Sequence, residues 1–196
     1  MRTNWLAPTA SILILASGII LWESYQLPDA VTPPTKTKKH IKQGIATGVK
    51  VREYNTEGVL STDMTSDKVI QYQWHPHKQT PKDYATLAQP RTKMYRQDAP
   101  PWTISANKGV IKNMGDKVTL TGAVDIIQPY ADSDQVSRLK TEQLDIKPKL
   151  QFASTHKAVT IEDASGITQA IGMKADMSKE IIILQKQVSS VFTPEK

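Results

Sequence analysis

Trp102-Thr-Ile-Ser-Ala106 alternates apolar or small residues with hydroxyl-bearing ones. Val118-Thr-Leu-Thr121 does the same after the turn residues Asn113-Met-Gly-Asp116. A period of two puts Trp102, Ile104 and Ala106 on one face of an extended chain and Thr103 and Ser105 on the other. The signature recurs outward in both directions. Val49-Lys-Val-Arg52 and Ile70-Gln-Tyr-Gln-Trp74 precede it; Leu144-Asp-Ile146, Ala158-Val-Thr-Ile161 and Ile181-Ile-Ile-Leu184 follow. Asn55-Thr-Glu-Gly58, the two-proline stretch His75–Asp83 and Ser165-Gly166 punctuate the strands as turns or loops. Beyond residue 48 no window keeps apolar residues at helical spacing for more than two turns. Short strands at about ten-residue spacing predict an all-β sandwich, barrel or roll.

A looser pattern overlies this one. Ile104-Ser-Ala-Asn-Lys-Gly-Val-Ile111, Leu139-Lys-Thr-Glu-Gln-Leu-Asp-Ile146 and Ile171-Gly-Met-Lys-Ala-Asp-Met-Ser178 are related segments. Each precedes a second strand (118–127, 150–161 and 181–192). A two-strand unit repeating every 33 residues or so is how stacked β architectures arise.

The chain has 196 residues, enough for one ordinary domain and an anchor. Its 25 Lys and Arg against 19 Asp and Glu give a net charge of +6, a mild bias that suits an anionic lipid as well as a nucleic acid. The 2 phenylalanines argue against a base-stacking surface, so no nucleic-acid partner is expected. The absence of cysteine excludes disulfides and thiolate metal sites.

Trp5-Leu-Ala-Pro-Thr-Ala-Ser-Ile-Leu-Ile-Leu-Ala-Ser-Gly-Ile-Ile-Leu-Trp22 carries no charge. As a helix it spans about 27 Å, close to the hydrocarbon thickness of a bilayer. A tryptophan at each end suits the headgroup layer. Arg2 precedes the stretch, and Glu23 and Asp29 follow it. Residues 1–25 therefore read as a cytoplasmic tip and a single membrane-spanning helix, 26–47 as a Pro-, Thr- and Lys-rich linker, and 48–196 as the exported β-domain. A cleaved signal peptide, with Ala16-Ser-Gly18 as the small-residue site, and a buried core helix are the competing readings.

With these residues in view, the chain resembles the LptC family, the bitopic component of lipopolysaccharide export. The resemblance runs from the anchor to about residue 184. It rests on Tyr54-Asn-Thr-Glu-Gly58, Gln89-Pro90, Pro101-Trp-Thr-Ile-Ser-Ala106-Asn-Lys108 and Leu120-Thr-Gly-Ala-Val124, in that order and behind an apolar N-terminal stretch. The turn after Ile161 is shorter than in those relatives, so no role is carried onto Gly166 or Gly172. The resemblance implies an incomplete antiparallel β-jellyroll with an open seam, set in the periplasm by an inner-membrane anchor. It implies the acyl chains of lipopolysaccharide as ligand. The implied partners are the LptB–LptF–LptG transporter on one side and an LptA-like bridge protein on the other.

A lipid-holding jellyroll needs an apolar inward face that its own side chains do not fill. The candidate lining residues are Ile70, Tyr72, Leu87, Ile104, Leu120, Ile126, Ile146, Phe152, Ile161 and Ile183. Plain core packing is the alternative for each. Strand 49–54 is expected toward the transporter and strand 181–192 toward the bridge, with unpaired edges available for strand addition. Lys93, Arg96, Lys108, Lys112, Arg138 and Lys140 are candidate partners for lipid phosphates by sign alone.

No catalytic, cofactor or metal site is expected. His75-Pro-His77 lies in a loop without a third ligand nearby, and Asp132-Ser-Asp134 offers too few oxygens for calcium. The sequence contains no phosphate-cradling glycine loop and no G-x-S-x-G or H-E-x-x-H pattern. The rival readings are a bitopic cell-envelope scaffold with a closed β-core and a secreted binding domain that has lost its leader.

Overall fold

The computed structural model describes residues 40–75, 77–96, 99–131, 135–177, 179 and 181–192. These form β1 (Ile41–Tyr54), β2 (Leu60–Gln73), β3 (Tyr84–Ala88), β4 (Arg91–Arg96), β5 (Ala99–Ser105), β6 (Lys108–Lys112), β7 (Lys117–Pro129), β8 (Val136–Lys147), β9 (Phe152–Asp163), β10 (Gly166–Asp176) and β11 (Ile181–Phe192), with two short 3-10 turns. All strand pairings are antiparallel, so the β-domain is the all-β fold its alternation predicts.

The sheet follows chain order. β3 and β4 are two halves of one bent strand, interrupted only at Gln89-Pro90, and β5 and β6 are halves of another, interrupted at Ala106-Asn107. With each pair counted as one strand, every strand pairing among the described residues joins chain neighbours, from β1 to β11. β2 pairs with β4 through residues 62–65 and with β3 through 68–72. β7 likewise pairs with β6 through 117–121 and with β5 through 125–127.

The interruptions line up across the sheet. The register shifts between Thr121 and Val124 in β7, between Thr141 and Asp145 against β9, between Ile171 and Met173 in β10, and against β11 just before that. Bulges bend strands and sharpen their twist. A row of them folds the sheet into two wings. The first wing holds β4, β5 and residues 124–129, 136–141, 159–163, 166–171 and 186–192. The second holds β3, β6 and residues 117–121, 143–147, 152–155, 173–176 and 181–184. Gly122 (φ +76°) and Gly172 (φ +82°) supply the left-handed backbone at two of the bends.

Bending a sheet frees carbonyls that a flat ladder would pair, and side chains take them up. Among the described residues the three buried polar ones, Ser66, Thr141 and Thr155, all lie on the bend. Ser66 Oγ donates to the Ala88 carbonyl at 2.7 Å, and Thr141 Oγ1 donates to the Ala158 carbonyl at 2.8 Å. Thr155 Oγ1 accepts the Lys157 N–H at 3.1 Å. Backbone bonds from Gln89 N–H to Asn107 O and from Asn107 N–H to Gly122 O stitch the neighbouring breaks. An unpaired buried group would cost about 1–3 kcal/mol, so these bonds are a condition of the bend.

The core is packed hardest along the same line. Val124 and Leu144 are 0% exposed and Met173 is 1% exposed, each the first inward residue past a break. Exposure rises away from it: Ile126 and Ala175 reach 9%, while Gln128 and Met177 are half-buried.

The structure moves one boundary. β1 starts at Ile41, inside the stretch 26–47 read as linker. Residues 41–48 of β1 are all exposed, so burial imposed no alternating pattern before Val49, and pairing with β2 alone makes this part a strand. The anchor (1–25) and the linker as far as residue 39 lie outside the described residues. Among the described residues no helix is long and apolar enough to cross a membrane.

Candidate functional site

Between the wings lies an open apolar cleft of about 240 Å³. The first wing lines it with Met94, Trp102, Ile104, Ile126, Leu139 and Ile161. The second wing contributes Leu144, Ile146, Ala153, Ala175, Ile181 and Ile182. Gln128, Ser137, Asp176 and Met177 complete the lining at the ends of their strands. Among the described residues no strand pairing joins the wings on the side away from the bend. The interior is therefore solid along the bend and open beyond it.

Register explains which side chains face in. Leu87, Gly109, Leu120 and Leu144 form one inward row across four strands. Ile104, Ile126, Leu139 and Ile161 form another on the first wing. Ile146, Ala153 and Ala175 form a third on the second wing. A Cβ at Gly109 would sit 3.0 Å from Leu87 Cδ1 and 3.3 Å from Leu120 Cδ2, so a larger residue there requires these leucines to shift.

Of the ten candidate lining residues, six face inward. Ile104, Ile126, Ile146 and Ile161 line the cleft, and Leu87 and Leu120 are buried close to the bend. The other four are corrected by one residue. Ile70 and Tyr72 pair with Thr86 and Tyr84, in the rows that alternate with the Leu87 row. Tyr72 stacks on Tyr84 on the outer surface, with centroids 4.7 Å apart. Phe152 adjoins the inward Ala153, and Ile183 is 56% exposed opposite Lys174. Because the side-chain period is two, a slip of one residue exchanges the faces. Ile182, which lines the cleft, and Leu184, which packs on the core, take the role assigned to Ile183.

Sequence reasoning missed Met94, Trp102, Leu139, Leu144, Ala153, Ala175, Met177, Ile181 and Ile182 as apolar lining residues. The alanines carry no hydrophobic signal of their own. Their place becomes visible only when the register sets them beside Ile146.

The outer face is polar and ion-paired. Arg138 forks onto Asp125 with two 2.8 Å bonds, and this carboxylate raises the arginine's pKa. Lys140 meets Glu162 at 3.0 Å, and Lys117 meets Asp145 at 3.4 Å. Arg138 and Lys140 are thus engaged on the outer face. Lys93, Lys108 and Lys112 are exposed, and the Arg96 side chain and Asp132–Asp134 lie outside the described residues.

Both edges of the sheet are long. Among the described residues β1 and β11 each pair on one side only. β11 exposes Val188 (54%), Val191 (70%) and Phe192 (76%) and carries one lysine in twelve residues.

A comparison with curated protein sequences finds no match. Among solved structures the fold is similar to the crystal structure of LptH, described as the LptA homologous periplasmic component of the conserved lipopolysaccharide transport device from Pseudomonas aeruginosa. The TM-score is 0.50 at 11% identity, over 68% of this chain and 95% of that one. This likeness identifies the bent sheet as the jellyroll-like fold of that protein. The family described as lipopolysaccharide-assembly, LptC-related, matches residues 10–193. The chain belongs to the LptC-related family of lipopolysaccharide-assembly proteins.

Proposed function

We propose that the β-domain holds lipopolysaccharide by its acyl chains in the cleft between the wings and passes it along the sheet without chemical change. The observation that carries this reading is the cleft itself. Two apolar walls, drawn from both wings, face each other across space that the protein's own side chains leave open. Burying acyl chain gains about 0.8 kcal/mol per methylene. The donor and acceptor sites are equally apolar, so the path is nearly level and the drive comes from elsewhere. In this reading it comes from ATP hydrolysis by LptB.

The cleft is smaller than the roughly 300–1,000 Å³ of sites that enclose a drug-sized ligand. It takes part of one chain as it stands, and a multi-chain lipid requires the wings to part. Partners would engage the two edges: the LptB–LptF–LptG transporter at β1 and an LptA-like bridge at β11. Residues 5–22 would anchor the chain in the inner membrane, with the N-terminus cytoplasmic and the β-domain periplasmic.

The test places a photo-crosslinking residue at Ile126, Leu139 or Ile161, with Thr119 and Ile183 as outward controls. Lipopolysaccharide adducts at the first three and not at the controls are expected. Adducts confined to the controls, or none at all, would overturn the reading.

A further inference from the structure

A second pocket, of about 550 Å³, lies away from the cleft on the outer surface of the second wing. Its walls include His40, Lys82, Tyr84 and Lys112, with Pro81 and Val110 as apolar surface. The pocket is framed by rings. The His40 imidazole stands edge-on to Trp74 at 5.1 Å and to Tyr84 at 4.9 Å, and Tyr84 stacks on Tyr72. His40 Nε2 lies 3.0 Å from the Lys82 carbonyl, and Lys82 Nζ sits 4.6 Å above the Trp74 ring.

Among the described residues no carboxylate lines this pocket. Asp83 stands near enough to interact electrostatically with His40, though its oxygens bond to other groups. Its oxygens accept the Trp74 N–H, the Thr80 N–H and the Thr80 hydroxyl, all within 2.9 Å. Asp116 is held by Lys149 and Asp145 by Lys117. Lys82 and Lys112 are exposed and form no ion pair among the described residues. Lys82, Lys112 and His40 therefore line a recess that has Tyr84 as its aromatic wall and no carboxylate of its own, with Asp83 as a nearby counter-charge to His40.

We infer that this recess seats the phosphate of an anionic phospholipid headgroup and rests this end of the β-domain on the bilayer surface. Tryptophan, tyrosine and lysine side by side are the composition of a membrane interface, where ring faces meet the headgroup layer and cations meet lipid phosphate. The position of the recess agrees. His40 stands at the start of β1, and only residues 23–39 separate it from the apolar stretch ending at Trp22. Even fully extended, those residues span no more than about 60 Å. The inference rests on the anchor reading above, but not on the cleft.

The test uses the full chain in lipid nanodiscs made of phosphatidylcholine alone or mixed with phosphatidylglycerol. Lysine acylation is followed residue by residue by mass spectrometry. Lys82 and Lys112 should label several-fold more slowly in the anionic discs, Lys93 should label equally in both, and added salt should abolish the difference. Millimolar inorganic phosphate with neutral discs should protect neither lysine. Protection by phosphate alone would mark a free-anion site and overturn the lipid assignment. Disc-bound chain labelled equally in both lipids would overturn the recess while leaving the anchor intact. Chain that fails to co-elute with either disc would overturn both. His40→Ala, which removes a wall and no strand, should lose the protection while keeping the native β-sheet spectrum.

Discussion

Ala153 and Ala175 are register partners in β9 and β10, and both side chains face the cleft. Where Leu144 closes the interior near the bend, this pair leaves it open.

Ala175→Leu, or Ala153→Leu, should therefore fill the cleft. Photo-crosslinking of lipopolysaccharide from Leu139 should fall several-fold. Added bulk in a well-packed core costs about 1–3 kcal/mol, and open space should keep the cost at or below the low end of that range. Thermal denaturation and adduct yield measured together separate the two effects. A large stability loss would mean that the space is not open.

Thr141→Val keeps the shape and removes the hydroxyl that serves the Ala158 carbonyl. Losing this bond from a buried hydroxyl to the carbonyl of an exposed residue should cost about 0.5–1.5 kcal/mol in urea unfolding. An unchanged midpoint would show that the bend does not need this bond.

Gly172→Ala forces a side chain into a backbone at φ +82°, with Gln185 in the way. The left-handed conformation costs an L-residue about 1–2 kcal/mol. Amide exchange should rise around Gly172 and Gln187 and stay unchanged in β3 and β6.

Asp83 has its pKa lowered first by the Trp74 N–H and then by the Thr80 N–H. A group held ionised in this way contributes stability above its unfolded value, about 3.9, and loses it as the pH falls through the depressed folded value. Hydrogen exchange at the Trp74 and Thr80 amides should accelerate below about pH 4, relative to its intrinsic rate. In Asp83→Asn that pH-dependent step should disappear.

Val191→Asp combined with Phe192→Lys alters two side chains that are 70% and 76% exposed. The fold should be unaffected. Co-purification with an LptA-like bridge protein should drop at least several-fold if β11 is the docking edge, and should hold if it is not.

Much of this architecture was legible in the alternation. Every alternating stretch falls within, or runs at most a residue past, an observed strand; Asn55–Gly58 and Asn113–Asp116 are turns, while Ser165 lies in a turn and Gly166 opens β10. Asn55 makes its turn with its own side chain, Oδ1 accepting the Glu57 and Val59 N–H groups. The loose repeat also has a structural cause. Ala106, Thr141 and Gly172 each stand at a break, so the related segments are the places where strands cross the bend. What the sequence hid was phase. Leu60–Val69 has no alternation to read, and Ile181-Ile-Ile-Leu184 reads equally well in either phase. Four candidates therefore landed on the wrong face while the strands carrying them were correctly placed.

Because each strand closes only against the one before it, no early segment has to wait for a distant partner. Loop-closure cost is small at every step, which is uncommon in all-β chains, where remote pairings usually slow assembly. A chain emerging N-terminus first could zip hairpin by hairpin, and β11 would be the last to arrive.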